Sequence, residues 1–352
     1  MICLGKGDAT VMSLPHVKNL DDIRAILKDL RPLDAAARAQ AEEREPQLTK
    51  PAESLGRLEE ISHWVAASQA LYPPRMRSVH CNIYAGNHGV VAQGVSAYPA
   101  EVTKQMVQNF IDGGAAVNQI CANFEVDLQV HEMALDIPTG DIAIEAAMSD
   151  EDAAEAFFYG MTTVKDHTDL MCIGEMGIGN TTVAAAVAHG LYGGDAADWV
   201  GRGTGIDDDM LAHKTAIVKQ AVITNKDALT DALDVMRCLG GRELAAMAGA
   251  VLAARLKNVP VLLDGYVSTA AVAVLEAMLP GALDHCRVAH NSVEPGHLLI
   301  CEKINQKPLF DLGMRLGEGS GAVLAVGMVR AAVACHNEMA TFGDAGVSTK
   351  GA

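Results

Sequence analysis

The chain has few aromatic residues, few positive charges and no long uninterrupted apolar stretch. Phe, Trp and Tyr make up 4% of its 352 residues, and 27 Lys and Arg stand against 44 Asp and Glu, a formal net charge of −17. Such an acidic chain lacks the basic surface that non-specific DNA or RNA binding requires, so we expect no nucleic-acid partner. We also expect no membrane association, because Arg330 interrupts the longest apolar run, at 322–335, before it reaches the about 18 residues of a spanning helix.

Paired cysteines and a secretory leader are also missing. The eight Cys residues never form a CxxC pair, and several lie within apolar runs, as Cys172 does. This excludes the common zinc-ribbon and thioredoxin motifs. The 12 His residues show no HExxH pattern, so we expect no metal site. No basic segment followed by an apolar stretch opens the chain, and we expect a cytoplasmic protein with buried, free thiols.

Hydrophobic residues, by contrast, are plentiful. They make up 50% of the chain, with Ala, Gly and Met abundant, which favours helices packed closely on a sheet around a large core. Three helices are predicted before residue 73, at 20–30, 34–45 (ending before Pro46) and 54–71. Ser54 is the predicted N-cap of the third.

From residue 78 onward, short apolar runs alternate with longer Ala-rich segments. The predicted strands lie at 79–84, 126–130, 170–173, 199–200, 259–263 and 286–289. The predicted helices between them lie at 102–120, 182–191, 211–223, 242–256 and 268–278. This alternation predicts an α/β fold, with a parallel, Rossmann-like sheet covered by helices on both faces.

Nearly every predicted strand runs into a small, polar, Gly-rich cluster. These clusters are AGNHGV (85–90), GEMGIGNTT (174–182), GRGTG (201–205), LDGYVST (263–269) and AHNSVEPG (289–296). The carboxyl ends of parallel strands lie along one edge of a sheet, and ligands bind there. We therefore predict that the clusters converge on one site.

Two of the clusters are suited to holding a phosphate. In GEMGIGNTT, Gly177 and Gly179 allow close backbone approach, and the residues at 180–182 begin a helix whose free N–H groups attract anions. In GRGTG, Gly203 offers a second glycine cradle, with Lys214 as a counter-charge. Each loop alone is equally typical of a tight turn without ligand. Two of them at strand ends, together with a lysine, favour a phosphate.

Two carboxylates in glycine-rich surroundings are candidate general bases. Partial burial raises the pKa of a carboxyl, which would suit Glu175 and Glu318 to proton transfer. The alternative for either residue alone is a carboxylate that complements a helix dipole. Arg315 is placed to hold a phosphate or tether a carboxylate. Asp264 is suited to orienting a hydroxyl or capping a loop, and His88 to orienting a neighbour.

Several longer motifs resemble one known family. The segments GVSAYPAEVTKQMVQNFIDGGAAVNQI, GEMGIGNTT, VPVLLDGYVSTAA and MRLGEGSGAVLA, in this order, are similar to those of the nicotinate-nucleotide:dimethylbenzimidazole phosphoribosyltransferases of cobamide assembly. The resemblance runs from SLGRLE near residue 54 to MATFGDAGV near residue 347. It implies an enzyme that moves 5-phosphoribose from nicotinate mononucleotide to an aromatic base, giving an α-ribotide and nicotinate.

The resemblance also implies an organisation and a set of roles. It implies a small helical domain built from residues 1–77 and 326–352, an α/β catalytic domain of residues 78–325, a dimer, and no cofactor or metal. The general base falls on Glu318, and a second active-site carboxylate falls on Glu175. The nucleotide is expected on Gly177, Gly203, Lys214, Ser292 and Arg315, beside the loop residues Gly179, Asn180 and Thr181. The acceptor is expected against Tyr98, Met106, Met176 and His88, with Asp264 in support.

The nature of the acceptor and of the assembly stays open at this point. Asn87 stands where the family commonly has Asp, and a Tyr/Met lining resembles relatives that attach phenol or p-cresol through oxygen. The acceptor is therefore dimethylbenzimidazole, a related base or a phenol, and the dimer is formed with a second copy or with a paralogue. One alternative is a non-catalytic or weakly active subunit of such a heterodimer. Another is a different nucleotide-processing enzyme that shares the phosphate loops.

Overall fold

Five parallel strands form the centre of the structure, a computed structural model that describes residues 14–203 and 205–348. The strands are β1 (Val79–Ala85), β2 (Asp127–Glu132), β3 (Leu170–Met176), β4 (Val261–Leu263) and β5 (Cys286–Val288). Their order across the sheet is β2-β1-β3-β4-β5, and every neighbouring pair is parallel. The order reverses between β1 and β3, and in such sheets ligands bind where the order reverses, at the carboxyl ends of the strands.

Helices cover both faces of this sheet. They are α1 (Leu20–Lys28), α2 (Ala35–Arg44), α3 (Arg57–Gln69), α4 (Glu101–Ile111), α5 (Ala116–Asn123), α6 (Asp150–Thr162), α7 (Asn180–Tyr192), α8 (Ala196–Trp199), α9 (Asp208–Asn225), α10 (Ala232–Leu239), α11 (Arg242–Leu256), α12 (Tyr266–Met278), α13 (Gly296–Lys303), α14 (Ser320–Glu338) and α15 (Phe342–Ala345). Short 3₁₀ segments lie at Glu45–Gln47, Gly89–Gln93 and Lys226–Ala228.

Successive strand side chains enter two separate hydrophobic cores. In β3, Met171 and Ile173 pack into a core with α6, α7, α11 and α12, whereas Leu170 and Cys172 pack into a core with α3, α4, α5 and α14. Because side chains alternate across a strand, a strand buried on both faces reads as one continuous apolar run. The predicted α/β fold with three layers is therefore confirmed.

Three local predictions are wrong. The predicted helix at 102–120 is two helices, α4 and α5, because Gly113 adopts a left-handed φ of +80° and ends the first. The predicted strand at 199–200 is absent from the described sheet, since Trp199 ends the short helix α8. The predicted cap Ser54 lies outside α3, whose N-cap is Gly56.

Helices from the N-terminal and C-terminal parts of the chain pack on one another. The helix α2 contacts α3, and α3 in turn contacts α14. In contrast, α1 packs on α6 and α12. The predicted boundary at residue 325 falls inside α14, so the catalytic and terminal parts share this helix. Residues 1–13 of the predicted N-terminal segment lie outside the described residues.

The seven described cysteines are free, and all but Cys335 are buried. Cys3 lies outside the described residues. None of the helices within the described ranges combines the length and apolar character needed to span a membrane.

Candidate active site

A cavity of about 650 Å³ opens at the carboxyl edge of the sheet, where β1, β3, β4 and β5 end. Its lining comes from α4, from the segment that joins β3 to α7, from the start of α12, from the loop after β5 and from the loop before α14. Four Gly-rich clusters that are far apart in sequence therefore meet here, together with MRLGEGSG. AGNHGV lies behind the cavity, with the Gly86 carbonyl against Gly177.

Glu318 is held on a turn of unusual backbone geometry. Gly317, Glu318 and Gly319 all adopt left-handed conformations, with φ of +80°, +62° and +76°. Positive φ is unfavourable for a residue with a side chain, so the surrounding structure must hold Glu318 in this conformation. Asp264 provides that support, because its carboxylate accepts hydrogen bonds from the backbone N–H groups of Gly319 at 3.1 Å and Ala322 at 2.9 Å.

Glu175 faces the same cavity from the end of β3. Its Oε2 accepts a hydrogen bond from Asn180 Nδ2, and Gly317 packs against its Oε1 without room for a side chain. Burial, with the nearby Asp264 carboxyl, raises the pKa of Glu175 to about 8. Burial and the same carboxyl raise the pKa of Glu318 to about 7. The cavity thus holds two carboxyls that exchange protons near neutral pH.

A buried lysine lies beside the glycine loop at 201–203. Lys214, in α9, is 1% exposed, and its Nζ donates to Thr181 Oγ1 at 2.8 Å and to the Gly201 carbonyl at 3.1 Å. Burial lowers its pKa to about 8. An ammonium has three N–H donors, so one remains for a ligand. Thr181 and Gly203 border both the main cavity and the small cavity of Lys214, and so connect the lysine to the space that Glu318 faces.

The loop at 201–203 is fixed by two charged side chains. Arg315 Nη1 donates to the Gly203 carbonyl at 2.9 Å, and Glu294 Oε1 accepts from the Gly203 N–H at 2.9 Å. Ser292 lines the cavity next to Glu294. Glu294 is a cavity residue that the sequence reasoning did not single out, although it stands in the quoted cluster AHNSVEPG. Its position in a cluster at a strand end was the signal that could have identified it.

One wall of the cavity is apolar. It consists of Tyr98, Val102, Met106, Met176 and Ile178, and Tyr98 at its rim is half-exposed. Flat aromatic molecules pack well against thioethers and phenol rings. The three predicted acceptor-pocket residues Tyr98, Met106 and Met176 therefore lie together on this wall.

The prediction that His88 lines the acceptor pocket is wrong. His88 is buried behind the backbone of Gly177, and its Nε2 lies 2.6 Å from Glu243 Oε1. Neither side chain of this pair is exposed. Asn87 is buried beside it and donates to the Leu135 carbonyl at 2.9 Å. Both side chains therefore support the loops behind the cavity.

The other residues of the predicted phosphate loop lie at the start of α7. Asn180 and Thr181 open α7 and line the main cavity, together with Gly177. Gly179, the N-cap of α7, instead borders the smaller cavity with Lys214. The N-terminus of a helix presents unpaired N–H groups and a positive dipole end, which together form an anion site.

Comparisons with known proteins agree with this geometry. The family described as "Phosphoribosyltransferase" matches residues 30–347. Nicotinate-nucleotide–dimethylbenzimidazole phosphoribosyltransferases from Rhizobium etli (strain CIAT 652) and Sinorhizobium medicae (strain WSM419) are each 57% identical over 330 residues, which cover 94% of this chain and 97% of theirs. The crystal structure of CobT from Thermus thermophilus superposes with a TM-score of 0.85 at 38% identity, and the match covers 90% of this chain and 100% of that one.

Proposed function

Because the chain belongs to the nicotinate-nucleotide–dimethylbenzimidazole phosphoribosyltransferase family and is a pentosyltransferase, we propose that it transfers 5-phosphoribose from nicotinate mononucleotide to dimethylbenzimidazole or a related aromatic base. The products are nicotinate and an α-ribotide that serves as the lower ligand of a cobamide. The observation that carries the proposal is a single cavity that holds two carboxyls of raised pKa, Glu175 and Glu318, and adjoins the buried ammonium of Lys214.

The 5′-phosphate would bind at the α7 end of the cavity. Lys214 supplies its free N–H, and the backbone N–H groups of Gly179 and Thr181 supply donors at the start of α7. Ser292 and Arg315 line the same space, and a guanidinium suits a phosphate geometrically. Binding energy at the phosphate, remote from the reacting carbon, holds C1′ of the ribose in place for the transfer.

The bond that breaks joins C1′ of the ribose to the pyridinium nitrogen of nicotinate. This ring carries a positive charge, so it takes the bonding electron pair and leaves as a neutral pyridine ring without needing a proton. The site must then stabilise positive charge on the ribose, and the ionised carboxylate of Glu318 lies beside that space. Attack by the acceptor nitrogen on the face opposite the leaving group converts the β-linkage to an α-linkage.

Glu318 would act as the general base. As the acceptor nitrogen bonds to C1′, its N–H proton passes to the Glu318 carboxylate. A pKa of about 7 is well matched to this transfer at neutral pH. Two carboxyls close together do not both ionise readily, so Glu175, with its pKa of about 8, holds its proton while Glu318 accepts one.

The acceptor ring would stack on the wall formed by Tyr98, Met106 and Met176. This flexible apolar lining supports a second acceptor class, phenol and p-cresol, joined through oxygen. The free hydroxyl of phenol has a pKa of about 10. Glu318 would therefore deprotonate it less readily than a benzimidazole N–H, and we expect slower turnover with phenols.

The assembly and the domain division remain predictions. The contacts of α2 with α3 and of α3 with α14 support a small helical domain built from both chain ends. A dimer, formed with a second copy or with a paralogue, is expected from the resemblance. A cytoplasmic location is likewise a prediction.

The test is an assay of this chain purified alone. Incubation with nicotinate mononucleotide and dimethylbenzimidazole should give the α-ribotide and one equivalent of nicotinate, both measured by chromatography and mass spectrometry. Release of nicotinate that does not depend on an acceptor would favour the nucleotide-processing alternative. Tight nucleotide binding without product would favour the non-catalytic subunit. A parallel incubation with phenol tests the second acceptor class, and absence of a phenolic ribotide at any enzyme level would refute it.

A further inference from the structure

We infer that Glu45, His63 and His336 form a second ligand site, which binds a divalent transition-metal ion such as Zn²⁺ and joins the N-terminal helices to α14. Glu45 begins the 3₁₀ segment that follows α2, His63 lies in α3 and His336 lies near the end of α14. One ligand atom from each side chain lies within 4.8 Å of the other two. This cluster is remote from the active site, since α14 separates His336 from the Glu318 turn by about 25 Å at 1.5 Å per residue.

The distances are close to those that a tetrahedral ion imposes. Glu45 Oε2 lies 2.9 Å from His336 Nδ1 and 3.4 Å from His63 Nε2. Metal–ligand bonds of about 2.0–2.1 Å in a tetrahedron separate the ligand atoms by about 3.3 Å. The two imidazole rings are nearly perpendicular, at 86°, with their centres 6.0 Å apart. Small side-chain shifts therefore bring three ligand atoms around one ion, with water in the fourth position.

The surroundings leave the ligand atoms available. His63 Nε2 is buried without a hydrogen-bond partner, an arrangement that costs free energy unless something binds the atom. Lys50 Nζ forms ion pairs with Glu45 Oε1 at 2.9 Å and with Glu59 Oε1 at 2.6 Å. The ion pair of Lys50 with one oxygen of the Glu45 carboxylate orients the other oxygen toward the two imidazoles. Residues that contact metal ligands commonly orient them in this way.

The donor types select the class of ion. Two imidazole nitrogens with one carboxylate oxygen suit Zn²⁺, Co²⁺ or Ni²⁺, whereas Ca²⁺ and Mg²⁺ prefer oxygen ligands alone. The side chain of His63 is 15% exposed and offers a route of entry from solvent.

The expected role is structural. Glu45 and His336 are 291 residues apart, so an ion between them would tie one end of the chain to the other. An ion that binds the folded state and not the unfolded chain stabilises the fold by a free energy that grows with the logarithm of its concentration divided by its Kd. The sequence showed no metal motif, because motif rules rely on short spacings that this cluster does not have.

The test is metal binding by the metal-depleted full chain. Equilibrium dialysis against ZnCl₂ or CoCl₂ with elemental analysis should give one bound ion per chain. Bound Co²⁺ should show visible absorption typical of nitrogen and oxygen ligands, without a sulfur-to-cobalt charge-transfer band. Saturating Zn²⁺ should raise the thermal midpoint by about 3 °C or more.

His63→Asn is the decisive variant, because His63 is partly exposed and its metal-free thermal midpoint should match that of the wild type. We expect its Zn²⁺ affinity to fall more than about 100-fold, beyond the range of outer-group changes. His167→Asn is the matched control, since His167 is an exposed histidine at φ +64°, a conformation that Asn tolerates. The His167→Asn variant should bind Zn²⁺ with the affinity of the wild type. Less than one bound ion per chain, or a sulfur-to-cobalt band in the Co²⁺ spectrum, would overturn the proposal. So would a Zn²⁺ affinity of His63→Asn equal to that of the wild type, or an equal loss of Zn²⁺ affinity in His167→Asn.

Discussion

Burial shifts the pKa values of the proposed general base and the proposed phosphate anchor in opposite directions, toward the same range. It raises the pKa of the Glu318 carboxyl to about 7 and lowers that of the Lys214 ammonium to about 8. Burial removes water from the charged form of each group and so disfavours that form. This raises the pKa of a carboxyl, which is charged when it has lost its proton, and lowers the pKa of an ammonium, which is charged when it keeps its proton. The two groups therefore set the lower and upper limits of the pH range in which the site is active.

Glu318→Gln should abolish the proton transfer while keeping the size of the side chain. We expect kcat to fall by about 10²–10⁴-fold. In the wild type the base works only when ionised, so kcat/KM should rise with pH through about 7 and fall again above about 8, where Lys214 loses its proton. Initial rates between about pH 5.5 and 9 test both statements. Glu338→Gln, at an exposed position at the end of α14, is the control, and near-wild-type rates in Glu318→Gln would show that another group is the base.

Lys214→Met should weaken binding of the nucleotide. Loss of a charged hydrogen bond costs about 1.5–3 kcal/mol, so the KM for nicotinate mononucleotide should rise about 10–150-fold. In the wild type the same KM should rise as pH increases above about 8, because the ammonium then loses its proton. Lys219→Met, at an exposed site on α9, should leave KM unchanged. A decrease in kcat with constant KM would contradict a phosphate-anchoring role for Lys214.

Residue identity and local composition pointed to the charged part of this site, whereas the acceptor wall and Ser292 were predicted from the family resemblance. Glu175 and Glu318 stand in Gly-rich clusters, where the sequence itself indicates close backbone approach. His88 stands in such a cluster as well, but its side chain turns to Glu243, which is 155 positions later in the chain. The direction of a side chain depends on such distant partners, and one sequence does not reveal them.

At the scale of elements, the connection between β4 and α14 determines where Glu318 sits. Asp264 follows β4 and caps the N-terminus of α14 through two backbone N–H groups. The turn at 317–319 immediately precedes that helix, so the cap and the turn form one unit. Burial raises the pKa of Asp264, and the two N–H donors oppose that effect.

Asp264→Asn should loosen this unit. The amide replaces one accepting oxygen with an NH₂ group that faces a backbone donor, and we expect a loss of about 2 kcal/mol in the free energy of unfolding. We also expect kcat to fall, because the turn that carries Glu318 loses its support. Denaturant unfolding and steady-state rates below the unfolding range measure the two effects.

Ser149→Ala provides the comparison for Asp264→Asn. Ser149 caps α6, far from the cavity, and accepts from the Asp152 N–H at 3.0 Å. Its removal should cost about 1 kcal/mol and leave kcat unchanged. If both variants lose stability to the same extent and both keep full kcat, Asp264 is only a structural cap.

Element boundaries were less predictable than element types. The sheet and the Ala-rich helices follow from apolar periodicity, and α11 occupies the predicted residues 242–256. Periodicity failed at 102–120, because apolar residues continue at helical spacing through the turn at Gly113. The helix α6 was not predicted, although Ser149 followed by three acidic residues is a typical N-terminal signal.

For the whole molecule, the net charge of −17 opposes the approach of a doubly charged phosphate. Arg315, which lines the cavity, and Lys214, which adjoins it, counter this repulsion locally. Long-range repulsion between charges of the same sign is screened by salt over about 10 Å at 0.1 M ionic strength. The acidic surface and the cationic site therefore respond differently to ionic strength.

We expect kcat/KM for nicotinate mononucleotide to increase about two-fold when ionic strength rises from about 0.01 to 0.15 M. The KM of the uncharged acceptor dimethylbenzimidazole should stay constant and serves as the control. Stopped or continuous assays over a series of NaCl concentrations measure both. A steady decrease in kcat/KM for nicotinate mononucleotide with rising ionic strength would mean that attraction by Lys214 and Arg315 dominates its binding.

The hydrogen bonds of Lys214 have a calorimetric consequence. Without a ligand the Nζ has two neutral oxygen partners, Thr181 Oγ1 and the Gly201 carbonyl, and its pKa is about 8. An arriving phosphate dianion favours the charged form, so at about pH 8 the complex takes up roughly half a proton from the buffer. Binding enthalpies measured in Tris and in HEPES should therefore differ by that fraction of the difference between the two buffers' ionisation enthalpies, and Lys214→Met should remove the difference.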